Sequence, residues 1–306
     1  MSDSKIIIGT RGSKLALWQA HHIEAKLEKY GYQVEIKIIK TQGDIIQHLG
    51  FDKMEGKGFF TKEIEKELLD ENVDLAVHSF KDLETNFPEG LTIGAVTDRA
   101  NPRDALLIRK DKVDSFQKWD LKQGALVGTS SARRKVQLLK YRPDISIDDI
   151  RGNVPTRVQK LRDGNFDAIV LAKAGLDRLE LDVSDLHVHV FDPNEFIPAP
   201  AQGALALQIR ENDQRMEEVM SKLHCEDIAT ATYIERKVLN LFKGGCQMPL
   251  GSYCTMTEPG QYELRAVMAE TVNHKPVSVC LSGNSPDDLA RRAVEELKSK
   301  ALEGIS

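Results

Sequence analysis

The stretch Gly244-Gly245-Cys246-Gln247-Met248-Pro249-Leu250-Gly251 places one thiol on a loop that glycines open and a proline closes. Two glycines before the sulfur allow a tight turn and leave room beside it for a bulky group. Cys225, Cys254 and Cys280 have no such setting and read as small buried hydrophobes. A second signal occurs three times, where a strand ends, a small or hydroxyl-bearing turn follows, and a helix opens with arginine in or beside its first turn. The sites are Gly9-Thr10-Arg11-Gly12-Ser13-Lys14, Gly128-Thr129-Ser130-Ser131-Ala132-Arg133-Arg134 and Arg151-Gly152-Asn153-Val154-Pro155-Thr156-Arg157. Helix N-termini carry partial positive charge, so a cation there is unfavourable by a few tenths of a kcal/mol or more. An anion held between the arginines and the free backbone N–H groups reverses that sign.

Any one of these arginines could pair with a surface carboxylate. Three at the same structural position favour an anion site, because open α/β sheets bind ligands at the C-terminal ends of their strands. The chain has neither GxGxxG nor GxxxxGK[ST], so the anion must be met by side chains rather than by a nucleotide loop. Asp82, in Ser79-Phe80-Lys81-Asp82-Leu83, follows another strand end and is a candidate acid or base. A surface Lys81–Asp82 pair is the plainer alternative. The segment 43–60, with four glycines and Phe51, Phe59 and Phe60, reads as an aromatic flap. A cysteine-nucleophile hydrolase would need a histidine base, and His224 and His274, the nearest in sequence to Cys246, lie in no recognisable triad.

These residues need a frame that brings strand ends together. Strand-like runs at 5–10, 34–41, 73–79, 91–96, 104–109, 125–129, 145–150, 166–172 and 204–210 alternate with helical patterns. Over 13–30, Ala16, Ala20, Ile23, Leu27 and Tyr30 form one apolar stripe. The alternation predicts mostly parallel sheets with helices on both faces. The last third differs: a helix over about 226–243, the Cys246 loop, strands at 262–269 and 276–282, and a helix from Pro286 capped by Ser285. A small α+β domain from about residue 222 is expected, and Phe196–Gly203, with two prolines, reads as a linker.

A chain of 306 residues implies two or three domains. The formal net charge of −5, without a basic stripe, argues against nucleic-acid binding. No signal peptide or bilayer-length apolar run is evident, and the cysteine spacing fits neither a disulfide framework nor a zinc site. His21-His22 and His187/His189 read as structural rather than metal-binding. The expectation is a cytoplasmic protein without a metal, a membrane partner or a nucleic-acid partner.

Nine motifs in order, TRGSKLALWQA, EGKGFFTKE, DLAVHSFKD, PRDAL, VGTSSARR, RGNVPTR, DAIVLAKAGLDRL, PAPAQGALAL and GGCQMPLGSY, resemble the porphobilinogen deaminase (hydroxymethylbilane synthase) family from residue 5 to about 255. The resemblance implies an α/β fold of two periplasmic-binding-protein-like lobes and a third small α+β domain. The domains would be 1–99 plus 200–219, 100–199 and 220–306. It implies a transferase of tetrapyrrole and heme biosynthesis that joins four porphobilinogen molecules head to tail, each losing ammonia, and releases hydroxymethylbilane with water. The growing chain would be held on a dipyrromethane cofactor, linked through a thioether to Cys246.

By motif, Asp82 takes the place of the family's catalytic aspartate. Lys81, Asp82, Thr129, Ser131, Arg133, Arg134, Arg151 and Gly152 fall on cofactor-binding positions. Arg11, Ser13, Phe60, Arg151, Arg157, Arg178 and Gln202 fall on substrate-binding positions, with Lys57 on the flap. The resemblance also implies a monomer. Departures are Leu83-Glu84 where the family has KD-x-P, Ala132 for leucine, Lys173 for a small residue, Ala201 for glycine, and Met54-Glu55 in the flap. Glu84, pointing inward, would raise the proton affinity of Asp82. The competing expectation is a two-lobed anion-binding protein without covalent chemistry.

Overall fold

Thirteen strands and eight helices are defined among the residues that the computed structural model describes, which are 5–41, 61–242 and 248–303. Lys57, Phe60 and Cys246 lie outside them. Among the described residues, β1 (Lys5–Thr10), β2 (Gln33–Ile38), β3 (Leu75–Ser79), β4 (Leu91–Arg99) and β10 (Ala204–Arg210) form one five-stranded sheet in the order β2-β1-β3-β10-β4. A second has β5 (Asp104–Arg109), β6 (Leu126–Gly128), β7 (Ser146–Asp148), β8 (Ala168–Ala172) and β9 (Leu186–Val190) in the order β7-β6-β8-β5-β9. The third is antiparallel: β11 (Leu250–Glu258), β12 (Gln261–Met268) and β13 (Val277–Gly283).

The two larger sheets share one topology, and it departs from the mostly parallel expectation in one respect. β10 runs antiparallel to both β3 and β4, and β5 runs antiparallel to both β8 and β9. The reason lies in chain path. The chain divides into two units, Met1–Arg99 with Ala204–Ala229, and Ala100–Gly203 with Thr230–Ser306. β5 and β10 are the first strands after each crossing, so each enters its sheet against the direction of strands built by right-handed crossovers. The fold is thus two α/β lobes of the same plan and a small third sheet.

In the first unit, α1 (Lys14–Lys29) and α6 (Gln214–Ser221) cover one face, with Ala20, Ile23, Leu27, Met216 and Met220 packed on Ile6, Ile8, Leu75 and Leu207. α2 (Lys62–Leu69) covers the other through Ile64 and Leu68. Tyr30 falls off the predicted stripe, because it caps α1 and lies 54% exposed with its hydroxyl on the Lys222 carbonyl. In the second unit, α3 (Ala132–Tyr141) contributes Leu138 to one core, while α4 (Val154–Arg162) and α5 (Lys173–Arg178) contribute Val158, Leu161 and Leu176 to another. The third sheet packs on α7 (Glu226–Leu241) and α8 (Pro286–Glu303). β9 carries His187 and His189, whose alternating pattern reads as a strand, and lies at a sheet edge, whereas β11 is not among the runs that the sequence pattern predicts.

The segments flanking the crossings are bonded to each other. Ala100 N–H donates to the Gly203 carbonyl at 3.0 Å. Gly203 has φ +91°, and a Cβ there would stand 2.4 Å from the Ala100 oxygen. Gly203→Ala is therefore expected to lower stability by about 2 kcal/mol or more, since both strain and a backbone clash act together. Urea unfolding measures this, and a loss under about 0.5 kcal/mol would show the turn relaxes freely.

Candidate active site

In the first unit the sheet brings two of the predicted corners to one edge. β1 and β3 are neighbours, with Gly9 paired to Ala76, so Thr10–Ser13 and Ser79–Asp82 emerge side by side. Ser13 caps α1, its side chain accepting from Ala16 N–H, and no acidic residue occupies the first turn of that helix. Arg11 precedes the cap, half-buried. β3 ends in a single 3₁₀ turn, Phe80–Asp82, whose anchors are Phe80 and Leu83, 6% and 2% exposed. Between those anchors Lys81 is half-buried and Asp82 is exposed, so the carboxylate faces outward from a fixed turn. Gln19 on α1 donates to Ser79 Oγ at 2.7 Å, tying that turn to the helix beside it.

In the second unit the other two corners meet. Thr129 N–H donates to the Asp148 carbonyl at 2.9 Å, and Ser130 Oγ both donates to the Ile150 carbonyl and accepts from its N–H. The turn carrying Thr129, Ser131, Arg133 and Arg134 is thereby pinned to the turn carrying Arg151, Gly152 and Arg157. Ser131 caps α3 and Asn153 caps α4, each side chain accepting from the first turn, and neither first turn holds an acid. Gly152 has φ +110°, with Thr156 2.7 Å from where a Cβ would be, so the turn into α4 requires glycine. Arg157 Nε donates to the Gly152 carbonyl at 2.7 Å, while Arg178, 7% exposed, donates to the Gly203 carbonyl at 2.7 Å.

Asp104 sits at the centre of this cluster, and reasoning from sequence passed over it. It is fully buried, accepting from Arg133 Nη1 at 2.7 Å, Arg134 Nη2 at 2.7 Å and Gln202 Nε2 at 3.0 Å. Burial pushes its carboxyl up, but the charges and hydrogen bonds of Arg133 and Arg134 outweigh that and hold it well below the usual carboxylate range. The PRDAL motif contained it; only the fold shows that its side chain turns inward. Arg133 also donates to the Ile197 carbonyl and Arg134 to the Val170 carbonyl. One buried carboxylate against two buried guanidinium groups leaves a net positive charge.

Among the described residues, Arg134 Nε is buried and has no hydrogen-bond partner. An unsatisfied cationic donor, two acid-free helix N-termini and Arg151 and Arg157 beside them fit a small molecule rich in carboxylates. The residues present therefore suit a dipyrromethane group, with its acetate and propionate on each ring. Of the departures, Glu84 acts through space on Glu65, and Lys173 pairs with Asp177. Ala201 adopts φ +59°, a glycine-like conformation, with its N–H held by buried Glu235 Oε2 at 2.6 Å.

These features define a class of protein: paired α/β lobes presenting an outward carboxylate at one strand end and an arginine cluster at others, suited to a polycarboxylate. The family described as "Porphobilinogen deaminase, dipyromethane cofactor binding domain" matches residues 6–218. A porphobilinogen deaminase of a Nitratiruptor species is 47% identical over 86% of this chain and 83% of its own. That of Maridesulfovibrio salexigens is 44% identical over 98% and 97%, and that of Oceanobacillus iheyensis 40% over 98% and 96%. The chain belongs to the porphobilinogen deaminase family. Among solved structures, an ancestral cationic amino acid solute binding protein aligns at 15% identity and a TM-score of 0.44, covering 72% of this chain and 89% of that one. The strand orders, rather than that likeness, define the fold.

Asp104→Asn is expected to cost about 3–5 kcal/mol, because it leaves two buried guanidinium groups short of a counter-charge. The sign of the pH dependence follows from the depressed carboxyl. Its contribution is present above about pH 4, the unfolded value, and is lost as pH falls through the lower folded value. Urea unfolding at pH 7 and below pH 4 should show the variant's deficit shrinking in acid; a deficit under about 1 kcal/mol at pH 7 would remove Asp104 as the charge balance.

Proposed function

We propose that this chain is a hydroxymethylbilane synthase working in the cytoplasm as a monomer, in the three-domain division 1–99 with 200–219, 100–199 and 220–306. The family is that of an enzyme of tetrapyrrole biosynthesis, a transferase acting on porphobilinogen. The cysteine spacing, which matches no disulfide framework, supports a reducing compartment. Among the described residues no helix is long and apolar enough to cross a membrane. When bound through Cys246, the dipyrromethane group supplies the free pyrrole carbon at which substrate is added.

The arginine cluster around Asp104 is the observation that carries this reading. Thr129, Ser131, Arg133, Arg134, Arg151 and Gly152 would hold the carboxylates of the resident group, and Arg11, Ser13, Arg157, Arg178, Gln202 and Phe60 would receive those of the incoming porphobilinogen. Fixed guanidinium groups match carboxylates two bonds at a time, and they orient the substrate before reaction. Lys57 and Phe60 serve from the segment before α2.

Asp82, exposed on a rigid turn, accepts hydrogen bonds from the pyrrole N–H groups. At each addition the substrate would lose its amine as ammonia, and the resident group, when bound, would supply the pyrrole carbon that exchanges its proton for the new C–C bond. Asp82 helps protonate the departing amine and stabilises the cationic pyrrole that remains. Preorganised electrostatics of this kind is commonly worth about 3 kcal/mol.

Intact mass tests the covalent part. The purified chain should exceed its sequence mass by two linked pyrrole units, and Cys246→Ala should lose that excess; an unmodified chain that added porphobilinogen does not convert would leave only anion binding. Asp82→Ala is expected to remain folded while kcat falls about 100- to 1000-fold. Near-normal turnover would take Asp82 out of the mechanism.

A further inference from the structure

α2 presents one carboxylate to the interior of its sheet. Glu65 is 7% exposed, and its Oε1 accepts from Gln208 Nε2 at 3.2 Å. Gln208, fully buried on β10, turns its own oxygen to His78 Nε2 on β3 at 3.0 Å. A carboxylate accepts only, so the amide must donate to Glu65 and offer its oxygen to His78, which then carries its proton on Nε2. Burial pulls His78 down to about 4, outweighing its hydrogen bond to the Gln208 oxygen, so the ring is neutral near pH 7. Ile64 and Leu68 of the same helix belong to an apolar cluster with Ile39, Val73, Ala76 and Leu91. A buried carboxylate, amide and imidazole are tolerable because each satisfies its neighbour, so removing one member leaves the next without its partner.

Their placement relative to Asp82 indicates what that loss would disturb. His78 lies four residues before Asp82 on the strand that ends in its turn, and Glu84 lies two residues after. Burial pushes the Glu65 carboxyl up, the Gln208 hydrogen bond draws it back, and the charge of Glu84 adds to the rise. Thr61 and Lys62, at the start of α2, act on the same carboxylate in the lowering direction. The strand that leads into the turn bearing Asp82 is therefore tied to one buried carboxylate on α2, through His78 and Gln208.

We propose that Glu65 is a positioning residue for Asp82, setting the end of β3 and the turn that follows it through Gln208 and His78. This rests on Asp82 being the group that meets substrate. A carboxylate displaced by about 1 Å from its reacting partner loses on the order of 100-fold in rate.

The test is kcat and KM for Glu65→Ala, Glu65→Gln and Gln208→Leu, expressed per cofactor-loaded chain counted by intact mass, with thermal melting alongside. Glu65→Ala and Gln208→Leu are expected to lower kcat about 10- to 100-fold with KM within about 3-fold. Glu65→Gln, which keeps an oxygen for the Gln208 amide, should recover to within about 3-fold of the parent. Parent-level kcat in Glu65→Ala and Gln208→Leu, with only the melting temperature moved, would overturn the proposal. So would a Glu65→Gln as impaired as the alanine variant. If Glu65→Ala does not fold, Gln208→Leu decides by the same criterion. Asp82→Ala measured in parallel separates the two levels: full turnover there removes Asp82 itself, whereas loss there beside normal Glu65 and Gln208 variants sinks only the positioning role.

Discussion

Two guanidinium groups cannot be buried side by side without a counter-charge, and Asp104 supplies it for Arg133 and Arg134. The rest of the second unit's site depends on that one carboxylate. It holds both arginines at the head of α3, and through Gln202 it reaches the segment where the chain leaves for β10. A single negative charge against two positive ones sets the cluster's sign, so it stays attractive to carboxylates while Asp104 holds the arginines in place. The arginines are thus held ready rather than assembled on demand, which spares the ordering cost of two long side chains when an anion arrives.

The chemistry was more legible in the sequence than the architecture. The strand-end arginines were legible from residue types, because arginine beside a helix N-terminus conflicts with local electrostatics unless something resolves the conflict. The α1 stripe up to Leu27 and the start of α8 at Pro286 could be read from spacing alone. Asp104 could not, since a lone aspartate before an apolar strand looks like a turn residue until tertiary structure turns it inward. The antiparallel senses of β5 and β10 were hidden for a related reason: strand direction is a property of long-range chain path, and local patterns are blind to it. Glu65 escaped because a Glu on a charged helix reads as solvated, and only its neighbours Gln208 and His78 reveal the buried face.

The first unit and the second solve one problem in different ways. Both present polar groups at the C-terminal edge of a sheet of the same plan. The first anchors a carboxylate outward on a short turn, with Phe80 and Leu83 as apolar pegs and a polar seam beneath. The second anchors cations inward around a shared anion. Each arrangement leaves a fixed charge of known sign at a strand end, and the repeated topology is what makes the two ends comparable.

The strand that completes each large sheet comes from beyond a crossing, and this bears on how the chain emerges during synthesis. β4 cannot join β3 directly, because the place between them belongs to β10, which begins only at Ala204. Until Ala204–Arg210 has left the ribosome, the first sheet stands as β2-β1-β3 with an open edge and a stranded partner. At about 5–20 residues per second that interval is several seconds or more. During it the apolar face built from Leu75 and Val77 lacks Leu205 and Leu207, so the nascent chain offers an unpaired edge that chaperones, or other copies, can reach first.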